Sequence, residues 1–370
     1  MSRLIYALSG EGRGHATRAR TVIDELRSEH AITVYTYGQG AELLGPIYRG
    51  TDVEVRELPG LRFSYSQDGS LDYMRTGMST LPFLRALPEH VAGVCKQLER
   101  AAPALVITDF EPVVPRAAAR LGIPFVSLDH QHFLLAYDLR ALPLRLQLYA
   151  SWLAPWVALY YSGQAHTLIS SFYAAPISRH ARNVTRVGVL LRREVLRAQP
   201  VHGSHLLVYL RRHVAGDLLR ALAACGREAR VYGLGPLPRM GKLSFHAVHP
   251  TRFTEDLASC SALVCTAGNQ LVGEALYLRK PVLAVPETGN FEQAINAHFL
   301  TESGMGESEA MHRLDAERLL GFLERVELLR ERIDPGSVCG NAACMSRLRT
   351  QLMAAEARSA YRSPTPTVLT

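Results

Sequence analysis

The chain has 370 residues, of which 48% are hydrophobic and 20% charged, and a formal net charge of +7. These values are typical of a globular protein with room for two domains, and they exclude a disordered or collagen-like chain. Nine arginines against two acidic residues between positions 112 and 193 account for the whole excess charge. This basic region leaves open an anionic membrane surface or a phosphorylated acceptor as partner. No motif with stacking aromatics indicates nucleic acid.

The first half of the chain alternates predicted strands and helices. The apolar run at 3–9 is typical of a buried strand, 10–14 of a glycine-rich turn and 15–28 of an amphipathic helix. Further strands are predicted at 32–37, 53–58, 104–108 and 124–128, and residues 183–202 are typical of a strand that leads into a linker. This alternation predicts an α/β fold with a parallel, doubly wound sheet.

A second α/β pattern follows a short linker. Its strands are predicted at 206–210, 229–232, 244–248, 262–266 and 282–285, with closing helices at 315–331 and 342–358. We therefore expect two Rossmann-like domains that face each other across a cleft. The expected division is a first domain at 1–190, a linker at 191–203, a second domain at 204–340, a closing helix at 341–358 and a disordered tail at 359–370.

His15 and Asp109 are the candidate reacting groups. In open α/β sheets ligands bind beyond the carboxyl ends of strands, where the turn before His15 and the strand end at Asp109 both lie. A histidine there can take a proton from a hydroxyl nucleophile while a carboxylate orients its ring. We predict His15 as a general base and Asp109 as its orienting partner. The alternative is that His15 only packs against the turn.

Other kinds of site have less support. The glycines at 10, 12 and 14 do not match a dinucleotide fingerprint, and no P-loop lysine follows them. His130 and His132 flank Gln131, but no further zinc ligand can be named, so we expect no metal and assign both histidines to acceptor contacts or loop packing. The six cysteines show no CxxC pair and are expected to be buried thiols in a reducing cytoplasm. The N-terminal residues show no signal-peptide layout.

The longest apolar stretch, at 146–161, contains Gln147, Ser151 and Pro155. It is shorter than the about 20 residues of a membrane-spanning helix. Its tyrosines and tryptophans suit the headgroup level of a bilayer, and the alternative is a helix pair packed within the first domain. We expect a cytoplasmic protein and leave open a peripheral contact with the inner face of an anionic membrane.

The chain resembles the GT-B nucleotide-sugar glycosyltransferases in four segments. These are Gly12-Arg-Gly-His-Ala-Thr-Arg18, Thr266-Ala-Gly through Glu274-Ala-Leu, Lys280-Pro-Val-Leu-Ala-Val-Pro286 and Glu292-Gln-Ala-Ile-Asn-Ala297. The resembled groups are the peptidoglycan lipid-intermediate N-acetylglucosaminyltransferase and the UDP-glucuronosyl/glucosyltransferases. Within them the chain is most similar to a short bacterial and archaeal branch with Asp-Phe-Glu-Pro and Asp-His-Gln-His at mid-chain.

The resemblance implies a two-domain GT-B fold and an inverting, metal-independent transfer of a sugar from a nucleotide donor, expected to be a UDP-sugar, to an acceptor hydroxyl. It implies His15 as the base and no cofactor beyond the nucleotide-sugar co-substrate. The expected donor contacts are Gly14, Arg211, Arg212, Val248, Thr266, Ala267, Gly268, Asn269, Glu274, Glu292 and Gln293. Within this set, Glu274 is expected to bind the ribose, and Glu292 and Gln293 the sugar hydroxyls. The expected acceptor contacts are Glu111, His130 and His132.

Two departures from the resembled families concern the diphosphate. Asn269 stands where a second glycine is expected, and Arg211 and Arg212 stand where relatives often have a Gly/Ser-rich turn. We expect the arginines to bind the diphosphate by charge in place of backbone amides. The acceptor, a small molecule or a lipid-linked one, is expected to bind loops around 61–88 and 136–172. The alternatives are a nucleotide-sugar 2-epimerase, for which Glu111 and Glu292 are the candidate carboxylates, and a non-catalytic nucleotide- or lipid-binding module.

Overall fold

The computed structural model describes residues 1–61, 64, 66, 72–210 and 216–362. Within these residues the chain forms two parallel sheets, each covered by helices on both faces. The predicted α/β architecture of two doubly wound sheets is confirmed.

The first sheet has seven described strands in the order β3-β2-β1-β4-β5-β6-β7. The strands are β1 (Arg3–Leu8), β2 (Ala31–Thr36), β3 (Glu54–Glu57), β4 (Leu105–Asp109), β5 (Phe125–Asp129), β6 (His166–Ser170) and β7 (Val184–Val187). The helices between them are α1 (Arg13–Leu26), α2 (Gly38–Tyr48), α3 (Tyr73–Ala101), α4 (Val114–Leu121), α5 (Phe133–Ala136) and α6 (Leu144–Tyr160). The strand order reverses between β1 and β4, which is the point where open sheets bind ligands.

The second sheet has six described strands in the order β10-β9-β8-β11-β12-β13, so its order reverses between β8 and β11. The strands are β8 (Leu206–Tyr209), β9 (Ala229–Tyr232), β10 (Leu243–His246), β11 (Ala262–Cys265), β12 (Val282–Ala284) and β13 (Gly306–Ser308). The helices from the linker onward are α7 (Arg193–Arg197), α8 (Gly216–Ala224), α9 (Pro250–Ser259), α10 (Asn269–Tyr277), α11 (Phe291–Glu302), α12 (Ala316–Glu324), α13 (Val326–Glu331), α14 (Pro335–Val338) and α15 (Asn341–Arg362), with a 3₁₀ turn at Met311–Arg313.

The central strands are mostly apolar and are buried along nearly their whole length because helices cover both faces of each sheet. In β1, Leu4, Tyr6 and Leu8 join one buried cluster, whereas Ile5 and Ala7 join the cluster on the opposite face. This alternation is the two-residue period of an extended strand. It fixes the register in which Leu8 lies beside Asp109 of β4.

Helix α15 returns the chain to the first sheet. Its residues Cys344, Leu348 and Leu352 join the same buried cluster as Leu4 and Tyr6. The helix runs through 359–362, which the sequence analysis placed in a disordered tail, and the rest of that predicted tail lies outside the described residues.

Two other expectations differ from the structure. The single helix predicted at 315–331 is two helices, α12 and α13, which meet at Arg325. Most of the region predicted as an acceptor loop at 61–88 belongs to α3, while positions 62, 63, 65 and 67–71 lie outside the described residues. No helix in the described part of the chain is long and apolar enough to cross a membrane.

Candidate active site

His15 and Asp109 meet at the reversal point of the first sheet. Gly12, with φ of 78°, turns the chain from β1 into α1, whose third residue is His15. His15 Nδ1 lies 2.7 Å from Asp109 Oδ1, and the two side chains are 11% and 0% exposed. Because the carboxylate accepts only, Nδ1 carries the proton, and in the neutral ring the lone pair is on Nε2. This tautomer is the one that a general base requires.

Arg18 completes this cluster and was missed by the sequence analysis. Its Nε donates to Asp109 Oδ2 and its Nη2 to Oδ1, both at 2.8 Å. Burial acts to lower the pKa of Arg18, but the charge and hydrogen bonds of Asp109 outweigh it and raise that pKa. The sequence spacing could have indicated this contact. Arg18 follows His15 by three residues, and residues three apart in a helix lie on the same face.

Glu111 lies close in sequence to Asp109 but is fully buried and caps α4. Its Oε1 and Oε2 accept the backbone N–H groups of Val113 and Val114 at 2.7 and 2.8 Å. Burial raises the pKa of Glu111 to about 7, against the lowering effect of these two N–H groups. The structure therefore places Glu111 at a helix terminus, where the sequence analysis expected an acceptor contact.

Asp129 and His132 form a second buried His–Asp pair at the end of β5. His132 Nδ1 lies 2.7 Å from Asp129 Oδ2, which also accepts from Ser127 and Tyr161. Burial alone would raise the pKa of Asp129, but the charge and hydrogen bonds of His132 and the hydrogen bond from Ser127 lower it. The other ring nitrogen, His132 Nε2, is buried and has no hydrogen-bond partner among the described residues. It can still accept from a hydroxyl group.

His130 joins the two domains. Its Nδ1 donates to the Ser170 carbonyl at 3.0 Å, and its Nε2 lies 2.9 Å from Asn296 Oδ1 on α11. The ring is 1% exposed, and burial lowers the pKa of His130. Protein oxygens thus face both nitrogens, which places the ring in the domain contact, where the sequence analysis left an acceptor contact open.

The turn between β11 and α10 forms the opposite wall. Ala267 has φ of 61°, a left-handed conformation that costs a non-glycine residue about 1 kcal/mol or more. Asn296 Nδ2 donates to the Ala267 carbonyl at 3.0 Å and so stabilises this conformation. Thr266 is buried, and Gly268 immediately precedes α10.

Asn269 faces the other domain. Its Nδ2 donates to the Ser170 carbonyl at 3.0 Å, and its Oδ1 accepts the Phe172 N–H at 3.2 Å. Next to it, a Cβ on Gly14 would lie 3.6 Å from the Cβ of Gln270, so α1 and α10 approach closely. Asn269 therefore contributes to the domain contact at the position where the resemblance implied a diphosphate contact.

Glu274, the predicted ribose ligand, is paired with Arg192 of the linker. Arg192 Nε and Nη2 donate to its two carboxylate oxygens at 3.1 and 2.7 Å, and Gln270 Nε2 donates to Oε1 at 3.1 Å. Arg192 and Glu274 are 12% and 3% exposed. The sequence contains no local signal for this pair, because 82 residues separate its members.

Glu292 and Gln293 begin α11 but differ in their contacts. Glu292 is half-buried and accepts from Gln131 Nε2 at 3.2 Å across the domains. Gln293 is buried, accepts the Glu287 N–H at 2.8 Å and donates to the Glu287 carboxylate at 3.0 Å. Glu292 is the more accessible of the two to a ligand.

An aromatic cluster closes the edge of the cleft beside Glu292. Phe291 of α11 stacks on Tyr149 of α6 and on Tyr73 of α3, with ring centroids 3.5 and 5.6 Å apart. Tyr73 also donates its hydroxyl to the Gly289 carbonyl at 2.9 Å. The start of α11 is thereby held against two helices of the first domain.

The remaining predicted donor residues are less informative. Val248 is half-buried and follows β10 by two residues. Arg211 and Arg212 lie outside the described residues. Among the described residues, no group of three or more His, Cys, Asp or Glu side chains could hold a metal ion.

The structure is similar to solved glycosyltransferases over nearly its whole length. It matches the calicheamicin glycosyltransferase CalG4 with a TM-score of 0.65 at 20% identity, covering 95% of this chain and 98% of that chain. It matches LpCGTa in complex with UDP with a TM-score of 0.66 at 18% identity, covering 95% and 99%. It matches Phytolacca americana UGT2, complexed with UDP-2fluoro-glucose and pterostilbene, with a TM-score of 0.69 at 14% identity, also covering 95% and 99%. At these identities the likeness establishes the GT-B fold.

Sequence comparison identifies the family. No curated protein matches the chain. Residues 2–327 match the model of glycosyl transferase family 1, a span that includes both sheets and both walls of the cleft. The chain therefore belongs to glycosyl transferase family 1 and is a glycosyltransferase with the GT-B fold.

Proposed function

We propose that this enzyme transfers a sugar from a UDP-sugar to an acceptor hydroxyl with inversion, without a metal ion, and with His15 as general base. His15 Nε2 takes the proton of the acceptor hydroxyl, and the acceptor oxygen forms a bond to the anomeric carbon. The bond from that carbon to the donor phosphate oxygen breaks, and UDP leaves with the electron pair. Attack from the face opposite the leaving group inverts the anomeric centre.

The geometry of His15 carries this proposal. Asp109 lies 2.7 Å from Nδ1 and leaves Nε2 as the basic nitrogen. The pair lies at the carboxyl ends of β1 and β4, and α1 packs against α10 of the second domain. The base therefore lies where the strand order of the first sheet reverses. It also lies beside α10, which follows β11, where the strand order of the second sheet reverses.

The start of α10 supports diphosphate binding. The first hydrogen bond of this helix runs from Val272 N–H to the Gly268 carbonyl. The three preceding N–H groups of the helix are outside its ladder, and helix N-termini with such groups favour anions. Arg211 and Arg212 stay predictions for the same role. A helix terminus and guanidinium groups can stabilise a leaving diphosphate without a metal.

Glu274 is assigned to the ribose of the donor, and Glu292 to the donor sugar. The carboxylate of Glu274 accepts from Arg192, and that of Glu292 accepts from Gln131. Carboxylate oxygens have further lone pairs, which can accept hydrogen bonds from sugar hydroxyls. Two similar structures contain UDP or a UDP-sugar analogue, which supports UDP as the nucleotide of the donor. Gln293 then orients the turn at Glu287, next to Glu292, and Val248 stays the candidate main-chain contact to the base.

His132 stays the candidate acceptor contact. Its buried Nε2 has no hydrogen-bond partner among the described residues and can accept a hydrogen bond from a hydroxyl group. No observation favours the 2-epimerase. Glu111, one of its two candidate carboxylates, caps α4 by accepting backbone N–H groups with both of its oxygens.

Product analysis tests the proposal. The enzyme is incubated with α-linked UDP-sugars and a panel of hydroxylic acceptors in EDTA, UDP release is followed, and the anomeric proton coupling of the product is read by NMR. We expect acceptor-dependent UDP release that EDTA leaves unchanged, and a β-linked product. An α-linked product would refute inversion, and loss of activity in EDTA would refute metal independence.

We further propose a peripheral contact with an anionic membrane, through helices α3 and α6. Helix α6 exposes Leu144, Leu148, Trp152 and Leu159 by 47 to 70%, although a helix this apolar is normally buried. The first half of α3 exposes Met74, Met78, Leu81 and Leu84 by 47 to 79%. Exposed patches of this kind mark interaction surfaces.

The charges around this patch suit anionic lipid. Arg75, Arg85 and Arg145 are exposed on these helices, and neither α6 nor the stretch 73–88 contains an acidic residue. Arg140, just before α6, is exposed but paired with Asp138. We keep the cytoplasmic location, at the inner face of such a membrane, as part of the proposal.

Vesicle co-sedimentation tests the membrane contact. The double variant Leu148→Gln/Trp152→Gln is compared with the control Leu328→Gln/Met353→Gln, whose side chains are 50% and 62% exposed elsewhere. We expect the wild type and the control to bind phosphatidylcholine vesicles only when phosphatidylglycerol is added, and the first variant not to bind. Equal binding by both variants would remove α6 from the contact.

A further inference from the structure

Arg18 lies against both members of the proposed base pair. It is 3% exposed, and its fork binds both oxygens of Asp109 at 2.8 Å. The same Nη2 lies 3.2 Å from His15 Nδ1. Since Nδ1 donates its own proton to Asp109, this last contact is no hydrogen bond. It places a permanent positive charge beside the imidazole ring.

We infer that Arg18 is a positioning residue that keeps His15 in its basic form by sharing the negative charge of Asp109. The inference rests on the proposed base role of His15 and concerns how that role is maintained. A carboxylate next to a histidine normally favours the protonated ring, and a nearby cation opposes this. With Arg18 in place, Asp109 can orient the ring without holding a second proton on it.

The fixed geometry has a second consequence for Asp109. Both of its oxygens accept from Arg18, and Oδ1 also accepts from His15, so the carboxylate plane cannot rotate without losing charge-assisted hydrogen bonds. The direction of His15 Nε2 is therefore set by a side chain on its own helix, one turn away.

The surrounding ionisable groups leave this pairing in place. Tyr6 of β1 is near Asp109 and Arg18, and burial raises the pKa of Tyr6, so it is neutral. Asp129 at the end of β5 also faces Arg18 but has His132 as its own partner at 2.7 Å. His130 is buried beside Arg18, and burial lowers the pKa of His130. Cys344 on α15 is buried, which raises the pKa of its thiol to about 12 and keeps it neutral.

The test compares Arg18→Met, which removes the charge, with Arg18→Lys, which keeps it but lacks the fork. The ring of His15 is titrated by NMR in histidine-labelled resting enzyme and assigned by its loss in His15→Gln. We expect Arg18→Met to raise the pH midpoint of the His15 ring by about one pH unit, and Arg18→Lys to change it by less than half as much. Arg18→Gln replaces Arg18→Met if the latter does not fold, as judged by circular dichroism.

Kinetics provide the second measurement. In Arg18→Met, the acid limb of the kcat/KM profile should move to higher pH together with the ring midpoint. A shift of about one pH unit lowers kcat/KM below that limb by about tenfold, while the Kd for UDP is unchanged. Arg18→Lys should keep the acid limb and lose rate only through the poorer orientation of Asp109.

The outcomes separate this inference from the proposed function. An unchanged His15 midpoint in Arg18→Met or Arg18→Gln overturns the inference, whatever the rates. A shifted midpoint with a kcat/KM profile that does not follow it supports the electrostatic role of Arg18 but overturns His15 as the base.

Discussion

The substitution Glu111→Gln tests whether Glu111 caps α4 or contacts the acceptor. Burial raises the pKa of Glu111 from 4.5 to about 7. The folded protein thus binds this proton more tightly than the unfolded chain, so the stabilisation is full below pH 4.5 and is lost as the pH rises through 7. At about 1.4 kcal/mol per pH unit, the loss between pH 5 and pH 8 is about 2 to 3 kcal/mol. Glutamine does not titrate and lacks this dependence.

Urea unfolding at several pH values measures this difference. Both tryptophans, Trp152 and Trp156, lie in α6, which connects β5 to β6 of the first sheet. Tryptophan fluorescence therefore reports the unfolding of the domain that contains Glu111. We expect the free energy of unfolding of the wild type to fall by about 2 to 3 kcal/mol relative to the variant from pH 5 to pH 8. The variant should keep its KM for the acceptor within about twofold. A pH-independent difference together with a raised acceptor KM would show that Glu111 binds the acceptor and is not buried as a cap.

Three further tests, the first with a matched control substitution, probe contacts in and around the cleft. Gly273→Ala places a Cβ 2.4 Å from Val189 Cγ2 and should lower the free energy of unfolding by about 1 to 3 kcal/mol. The control Gly93→Ala, in α3 with open space around the added Cβ, should raise it by up to about 1 kcal/mol. Equal stability of the two variants in urea unfolding would contradict this. Arg192→Met leaves the buried Glu274 carboxylate without its cationic partner. It should lower the free energy of unfolding by about 3 kcal/mol and weaken UDP binding as measured by calorimetry. An unchanged stability and an unchanged Kd for UDP would exclude a role of this ion pair at the ribose. Asn296→Ala removes the donor to the left-handed Ala267 and should weaken UDP binding about tenfold, a result that an unchanged Kd would refute.

Much of the fold could be predicted because the central strands are continuous apolar runs. The strand predicted at 229–232 has the observed bounds, and the others named for the two sheets differ by one or two residues at one or both ends. The sequence analysis did not identify β6 or β13. Strand β13 has only three residues, Gly306–Ser308, which are too few to show a strand pattern in the sequence. It forms a strand by pairing in parallel with β12.

The pairing of His15 with Asp109 could be predicted because strand ends meet at one edge of a parallel sheet. The partners of Glu274 and Glu292 could not, since Arg192 and Gln131 reach them across 82 and 161 residues and belong to the linker and the first domain. Glu111 shows the converse difficulty. Its position before a helix whose second residue is Pro115 is a capping signal, but its short distance from Asp109 in sequence favoured a place in the cleft.

The transfer rate of His15→Gln tests the central claim most directly. It is measured at saturating UDP-sugar and acceptor, beside the control His180→Gln, whose histidine is exposed on the first domain. We predict that kcat falls by about 10²- to 10⁴-fold in His15→Gln with an unchanged Kd for UDP, and that the control keeps the wild-type rate. A kcat within threefold of the wild type in His15→Gln would contradict the assignment of His15 as the base.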